Sequence, residues 1–377
     1  MRICKIAFIS IFSLLLVCGK VYSDIDLSGS AYNETSLINQ DGKIRYGNRS
    51  SMHLNGISQT KGVKLVSELE LYTLHGYLIS TNSLLAEFLK GGQFYIDRLY
   101  MKFPVYMVDL TLGKQRIAWG TGLLYRPTDN LNKPNPLSLS GRKEGVNALL
   151  AKAYIGDLSA VEFVVAPADT YREIDGETNL GNLKYSKFAG RYTTNFLKSD
   201  VGLSYQYNGE DKDHIFGLDM KGDIKLGYHL ETTFTYNQDS FESENIEKVF
   251  QSVVGLDYSF AGKWIVLGEY FYNGRGFAEK TTLPVSDFSL LDEFKYRHYV
   301  YSQVSYQHDV FLNGNFLLIL NLVDKSLIVS PNIGYTLFQN TNLQVFSQIF
   351  YGDNGGEFSP GRLGISQAYY MRLTVKF

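Results

Sequence analysis

The chain contains little cysteine, proline or tryptophan, with 2, 8 and 2 residues respectively among 377. Both cysteines, Cys4 and Cys18, lie near the N-terminus, so the rest of the chain has no cysteine with which to form a disulfide. Long apolar runs are also missing from the chain after its N-terminal segment. The longest apolar runs in that remaining part are short, such as FLLIL at 316–320. A membrane-spanning helix needs about 20 consecutive apolar residues. The sequence therefore excludes a disulfide-rich scaffold and a membrane protein built from helices.

Charge is balanced and dispersed along the chain. The 36 Lys and Arg residues against 38 Asp and Glu residues give a net charge of −2. Residues 1–23 hold three of the basic residues and no acid, so residues 24–377 carry 33 basic and 38 acidic side chains, a net of −5. Basic clusters and zinc-finger spacings are absent from the sequence, and we therefore expect no nucleic-acid partner.

The N-terminal segment has the layout of an export signal. Arg2 and Lys5 precede the apolar stretch IAFISIFSLLLVC, and VYS at 21–23 offers a cleavage site before Asp24. This order of charged, apolar and cleavage regions predicts a signal peptide over 1–23 and an exported domain over 24–377. A lipoprotein would use Cys18, but Val17 stands where a small residue is expected.

Alternation of apolar and polar residues recurs along almost the whole chain. About eighteen segments show it, beginning with 24–34 and 44–57, and most exceed the roughly five or six residues of a typical strand. Tight turns alternate with longer connections, near 75–92, 120–144, 169–182, 275–295 and 353–364. This pattern predicts an all-β fold, a transmembrane antiparallel β-barrel of about 18 strands (fallback 16) with periplasmic termini. A soluble β-sandwich or β-helix would also alternate, but would not explain aromatic residues on nearly every outward face.

The last ten residues, AYYMRLTVKF, alternate strictly and end on an aromatic residue. Tyr369, Met371, Leu373, Val375 and Phe377 share one face of the predicted strand. The pattern resembles the C-terminal signature of bacterial outer-membrane β-barrel proteins, which their insertion machinery is understood to read. The resemblance implies that the strand ending at Phe377 closes the barrel and is a contact for that machinery.

If apolar positions face lipid, the opposite parity faces the lumen. That parity carries ten basic and six acidic side chains, which favours anions weakly. For each charge, a solvated position or a local salt bridge is the simplest interpretation. The pore-wall candidates are Arg98, Lys102, Arg191, Glu231, Arg297 and Arg372.

The stretch TLGKQRIAWGTGLLYRPTDNLNKPNPLSLSGRKEGV, 111–146, is the most distinctive internal sequence. Gly120 and Gly122 allow a sharp bend, and three prolines restrict the backbone that follows. RLYMKF at 98–103 together with GKQRIAWG…PTDNLN resembles a motif of porin-like outer-membrane families. The resemblance implies that the third long loop, 120–144, folds inward and narrows a pore, although a surface loop with Trp119 in the lipid interface fits as well. The constriction candidates are Arg126, Asp129, Lys133, Arg142, Lys143 and Glu144.

These observations favour a porin-like passive diffusion channel for small polar solutes, anions among them, in the outer membrane of a Gram-negative-type bacterium. The expected partners are outer-membrane lipid and the solutes, and a homotrimer is left open. No cofactor, metal or catalytic residue is expected, because the six histidines are scattered. One alternative is an occluded outer-membrane barrel for surface polysaccharide attachment or assembly, and another is an outer-membrane enzyme.

Overall fold

Eighteen antiparallel strands form one closed barrel. The computed structural model describes residues 25–77, 93–132, 145–168, 173–174, 177–178, 181–237, 249–283 and 294–377. No helix in these ranges is long and apolar enough to cross a membrane. In chain order the elements are β1 (Ile25–Gln40), β2 (Lys43–Thr60), β3 (Val63–Gly76), β4 (Gln93–Val105), β5 (Val108–Gln115), β6 (Val146–Ile155), β7 (Ser159–Ala166), β8 (Glu173–Ile174), β9 (Glu177–Thr178), β10 (Lys187–Phe196), β11 (Ser199–Asn208), β12 (Asp213–Asp223), β13 (Gly227–Asn237), β14 (Phe250–Phe260), β15 (Trp264–Asn273), β16 (His298–Gln307), β17 (Leu312–Asn321), β18 (Leu327–Phe338), β19 (Thr341–Tyr351), α1 (Pro360–Leu363) and β20 (Ile365–Lys376). Each barrel strand pairs with its neighbours in the chain, and β8 and β9 form a separate ribbon between β7 and β10.

The barrel closes between the first strand and the last. Ala31 of β1 stands opposite Val375 of β20, and Gly29 exchanges two backbone hydrogen bonds of 2.8 and 3.0 Å with Phe377. Closure leaves no open sheet edge, so the backbone polar groups of the outermost strands are paired. The prediction of an 18-stranded antiparallel barrel closed by the C-terminal strand is confirmed.

Side chains alternate between an apolar outer face and a mostly polar inner face. On β20, Tyr369, Met371 and Leu373 point outward and are 47%, 52% and 41% exposed, whereas Tyr370 and Arg372 point into the lumen. An outer face of this kind suits contact with hydrocarbon, because the backbone groups are paired and the exposed side chains are mostly apolar.

Aromatic side chains mark both rims of the outer face. At one rim Trp264 stacks on Phe260 at 6.1 Å between ring centroids and contacts Tyr306 at 4.4 Å. At the other rim Tyr205 hydrogen-bonds His214 through Nδ1 at 2.8 Å. Such girdles bound the apolar band of a membrane barrel at its two interfaces.

Connections differ between the two ends of the barrel. One end, the turn end, has short links such as 61–62 and 197–198, and the other, the loop end, carries the long ones. Three loop-end connections matter below: L3 (116–145), L7 (274–297) and L9 (352–364).

The first hairpin is longer than the alternation predicts, because β1 continues to Gln40 and β2 begins at Lys43 rather than at 44. Outward-facing Asn33 and Asn48 exchange side-chain hydrogen bonds of 3.0 and 3.2 Å, and Asn48 also donates to Thr35 at 3.2 Å. These polar residues interrupt the apolar pattern without ending either strand.

The closing contact generates a prediction about stability. A Cβ at Gly29 would lie 2.5 Å from the carbonyl oxygen of His53 and 2.8 Å from the Phe377 ring, whereas a Cβ at Gly268 meets nothing within 4 Å. We expect Gly29→Ala to lower the free energy of unfolding by about 1–3 kcal/mol, the usual cost of overpacking, and Gly268→Ala to have little effect. Urea unfolding of the refolded barrel measures both, and equal midpoints would contradict the closure geometry.

Candidate functional site

The first part of L3 packs against the inner wall of the barrel. Trp119 is 2% exposed, and its indole Nε1 donates to Glu162 on β7 at 3.0 Å. Around it lies a buried apolar cluster from L3 and from β6, β7 and β10, formed by Ile117, Leu131, Ala148, Val164, Ala166 and Ala189. Trp119 therefore faces the lumen side of the wall and not the lipid interface.

The turn that follows wraps around one buried carboxylate. Glu231 of β13 accepts backbone hydrogen bonds from Thr121 at 2.8 Å, Gly122 at 3.0 Å and Thr128 at 2.7 Å, and a fourth from the Thr128 hydroxyl at 2.7 Å. A Cβ at Gly120 would stand 2.5 Å from this carboxylate, and the residue has φ +88°. Glycine is needed here because the backbone passes so close to the charge.

A second carboxylate holds the next two residues. Glu269 of β15 accepts from the backbone of Leu123 at 2.6 Å and of Leu124 at 2.7 Å, and it contacts His229 Nε2 at 2.6 Å. Burying an unpaired carboxylate is costly, but converging N–H donors stabilise the charge. Two strand carboxylates thus fix the tip of L3, which we define as residues 121–130, inside the barrel.

L7 and L9 pack against the opposite side of the lumen. Glu357 of L9 is 1% exposed, and it accepts from Tyr299 Oη at 2.6 Å, Asn321 Nδ2 at 2.8 Å and the backbone of Lys295 at 2.7 Å. Burial raises the pKa of Glu357 to about 7. An apolar cluster surrounds this anchor and joins the three loops to β14–β20, formed by Leu124, Val253, Phe271, Leu283, Phe294, Tyr296, Tyr299, Ile319, Phe358 and Leu363 among others.

Six cations on the described part of the lumen wall are each paired with a neighbouring carboxylate. Four of the predicted pore-wall residues are in such pairs, and two more pairs join cations that were not among the candidates. The N–O distances are 2.9 Å for Arg98–Glu68, 2.8 Å for Lys102–Asp109, 2.7 Å for Arg191–Asp219, 2.5 Å for Arg372–Glu34, 2.7 Å for Arg49–Glu70 and 2.8 Å for Lys152–Glu162.

The other predicted residues have different surroundings. Glu231 is fully buried beneath L3, and Arg297 lies in L7, where its Nε donates to the carbonyl of Gly276 at 3.2 Å. Asp129 is 3% exposed. Arg126 is half-buried, and its Nε donates to the carbonyl oxygen of Gly122 at 2.6 Å. Lys133, Arg142, Lys143 and Glu144 lie outside the described residues.

Arg116, at the start of L3, is a residue that the sequence reasoning missed. It lies within electrostatic reach of Arg126, Arg98, Asp97 and Asp129, and burial, followed by repulsion from Arg126, lowers its pKa. Among the residues described here, neither Arg116 nor Arg126 forms an ion pair within 4.0 Å. The only signal in the sequence was its position within the GKQRIAWG motif.

In the described ranges, no three His, Cys, Asp or Glu side chains are grouped closely enough to hold a metal ion. The site is therefore an arrangement of hydrogen bonds, rings and fixed charges around the tip of L3.

No protein-family model matches the chain, and no curated protein matches it. Solved structures do. The outer membrane protein OpdK from Pseudomonas aeruginosa matches with a TM-score of 0.63 at 10% identity, over 94% of this chain and 99% of that one. OccAB2 from Acinetobacter baumannii matches with a TM-score of 0.62 at 7% identity, over 94% and 98%. OpdK with vanillate matches with a TM-score of 0.58 at 9% identity, over 93% and 98%. These likenesses show the fold.

Glu231→Gln tests whether this carboxylate holds L3. The amide turns an acceptor into a donor that faces backbone N–H groups, and each unsatisfied donor costs about 1–3 kcal/mol. Trp119 and Trp264 are the two tryptophans of the chain, so in a Trp264→Phe background the fluorescence reports L3 alone. We expect a red-shifted, more quenchable Trp119 in Glu231→Gln and an unchanged one in Glu68→Gln, whose carboxylate pairs with Arg98. Identical spectra would contradict the anchoring.

Asp129 predicts a pH dependence of L3. Burial raises its pKa to about 7, above the ordinary value of about 3.9, and its Oδ2 is buried without a partner among the described residues. A raised pKa means that its stabilising contribution is complete below about pH 4 and is lost as the pH rises through about 7. In the same background we expect iodide quenching of Trp119 to increase between about pH 4 and 7, because the docking free energy of L3 falls by at most about 1.4 kcal/mol per pH unit over that range. Asp129→Asn should flatten the profile, and an unchanged profile would exclude Asp129 as its cause.

Proposed function

We propose that this protein is a porin-like passive channel for small polar solutes, anions preferred, in the outer membrane of a Gram-negative-type bacterium. The observation that carries the proposal is the tip of L3 fixed inside the polar lumen of a closed barrel, beside two arginines that form no ion pair among the described residues. Solutes are selected by the width that L3 leaves and by the charges beside it. The proposal includes no covalent chemistry and no cofactor.

Rigid anchoring of L3 supports sieving. A loop held by six hydrogen bonds to Glu231 and Glu269 keeps a constant width, whereas a free loop would not discriminate by size. We assign the constriction to this loop, with Arg116 and Arg126 as its charged residues and Lys133, Arg142, Lys143 and Glu144 as further candidates.

The preference for anions rests on which charges remain uncompensated. Six wall cations form close ion pairs, whereas Arg116 and Arg126 form none among the described residues. Asp97 and Asp129 lie within electrostatic reach of Arg116 and offset part of its charge, and the remainder leaves positive potential beside the loop. The structure of OpdK with vanillate, an aromatic carboxylate, is consistent with an anionic solute in a barrel of this fold.

Export and assembly complete the proposal. Residues 1–23 act as the signal peptide that delivers residues 24–377, and the strand ending at Phe377 is recognised by the barrel-insertion machinery. Outer-membrane lipid surrounds the apolar face. A porin-like barrel functions alone or as a homotrimer, and the proposed channel is compatible with either state.

A second candidate is an occluded barrel for surface polysaccharide attachment or assembly. The packing of L3, L7 and L9 into one apolar cluster at the loop end favours it, because such packing fills part of the lumen. It predicts a folded barrel that does not conduct.

Single-channel recording of the refolded barrel in a planar bilayer separates the two candidates. We expect stepwise currents and a reversal potential that favours anions. Arg116→Gln with Arg126→Gln should reduce anion selectivity several-fold, since two cations beside the loop that form no ion pair among the described residues are removed. The double change Glu34→Gln with Arg372→Gln removes a charge pair of net zero and serves as the control. Absence of steps from a folded barrel would overturn the channel in favour of the occluded barrel.

A further inference from the structure

A cavity of about 540 Å³ opens on the loop-end side of L3. Its floor is the outer surface of the L3 tip, including Tyr125 and Asn130, and its wall is made by the loop ends of β10–β15. We call it the vestibule cavity. Its volume lies in the range of about 300–1,000 Å³ that is typical of small-molecule sites.

Gln206 on the cavity wall has a side-chain oxygen to which no donor in the described residues forms a hydrogen bond. Gln206 lines the vestibule cavity and is 3% exposed, and within the described part of the chain its Oε1 is buried without a hydrogen-bond partner. Its Nε2 donates to the carbonyl of Thr128 at 2.6 Å, so the amide cannot be reversed without losing that bond. A ligand that donates a hydrogen bond would satisfy this oxygen, and an unsatisfied buried acceptor is costly.

Aromatic faces and amides share the rest of the lining. Tyr125 lies against Phe271 at 4.6 Å between ring centroids, and Phe277 is 51% exposed. Gln251 and Asn273 are held to each other by a 2.9 Å hydrogen bond and lie at the same wall. Amides supply both donors and acceptors, which match hydroxyl groups, and ring faces match an apolar C–H surface.

The charges of the lining are balanced. Glu210, Asp211 and Asp213 stand against Lys187, Arg275 and Lys295. Several are already engaged, since Arg275 lies 3.6 Å from Asp213, and Asp211 accepts from Asn208 at 2.6 Å. The cavity thus lacks the net charge that would select a charged ligand.

We propose that the vestibule cavity is a binding subsite for a neutral saccharide, with a sugar ring lying between Tyr125 and Phe277 and one hydroxyl donating to Gln206 Oε1. The subsite deepens the proposed channel function by naming a class of solute that is held before it passes L3. A solute must also leave, so a Kd on the order of 1 mM suits transit.

Calorimetric titration of the detergent-solubilised barrel with maltose and glucose tests the subsite without requiring conduction. We expect Gln206→Leu to weaken maltose binding about tenfold, the usual effect of one lost hydrogen bond, and Phe277→Ala to weaken it as well. Gln303→Leu is the matched control, because Gln303 lines the lumen on β16 and bonds to Ser305 at 3.0 Å, away from the cavity. Trp119 emission shows whether L3 stays docked in Gln206→Leu, and if it does not, Phe277→Ala decides.

Each outcome has a defined meaning. No saccharide binding, equal loss in Gln303→Leu, or tighter binding of glycylleucine or benzoate than of maltose would overturn the subsite. Conduction without saccharide binding would leave the channel and remove the subsite. Saccharide binding by a barrel that does not conduct would keep the subsite and remove the channel.

Discussion

The arrangement of the lumen depends on two carboxylates that accept hydrogen bonds from the backbone of one loop. A loop that leaves a sheet and enters a barrel carries N–H groups without strand partners. Glu231 and Glu269 supply acceptors for five of them. These N–H donors in turn stabilise two charges that would otherwise destabilise the interior. Neither the buried acids nor the inward loop is stable alone, so each requires the other.

This constraint divides the lumen into two sectors. Tyr125 and Leu124 follow the anchored turn and pack toward Phe271 and Phe294, which joins L3 to the apolar cluster of L7, L9 and β14–β20. The wall of β2–β12 instead carries ion pairs such as Arg98–Glu68 and Arg191–Asp219. Loop packing therefore fills part of the apolar sector, and the vestibule cavity lies where the two sectors meet, since Phe271 and Phe294 line it together with charged residues.

Alternation in the sequence was sufficient to predict the barrel, because the period of two assigns each side chain to a face and the final strand must pair. It was insufficient to predict the arrangement of the site. The alternation of faces along a strand assigns every inward acid to the pore wall and does not distinguish buried acids from exposed ones. Glu231 was therefore a pore-wall candidate although it is buried under L3. Its partner Thr121 is 110 residues away in the chain, and no local pattern encodes such a contact. Arg116 was overlooked for the same reason, since its significance comes from Arg126 on the same folded loop.

The two faces of the L3 tip differ in chemistry, and this difference bears on how selectivity arises. On the vestibule side, amides, rings and balanced charges favour a neutral hydroxylated solute through short-range contacts. Beside the tip, Arg116 and Arg126 act at longer range, because charge outside close ion pairs is poorly screened in a polar space of low dielectric. In the channel proposed above, the contacts would hold a neutral solute, whereas the field would act on anions. Weak binding permits passage where one tight site would block it, so the anchored loop is compatible with recognition that does not trap the solute.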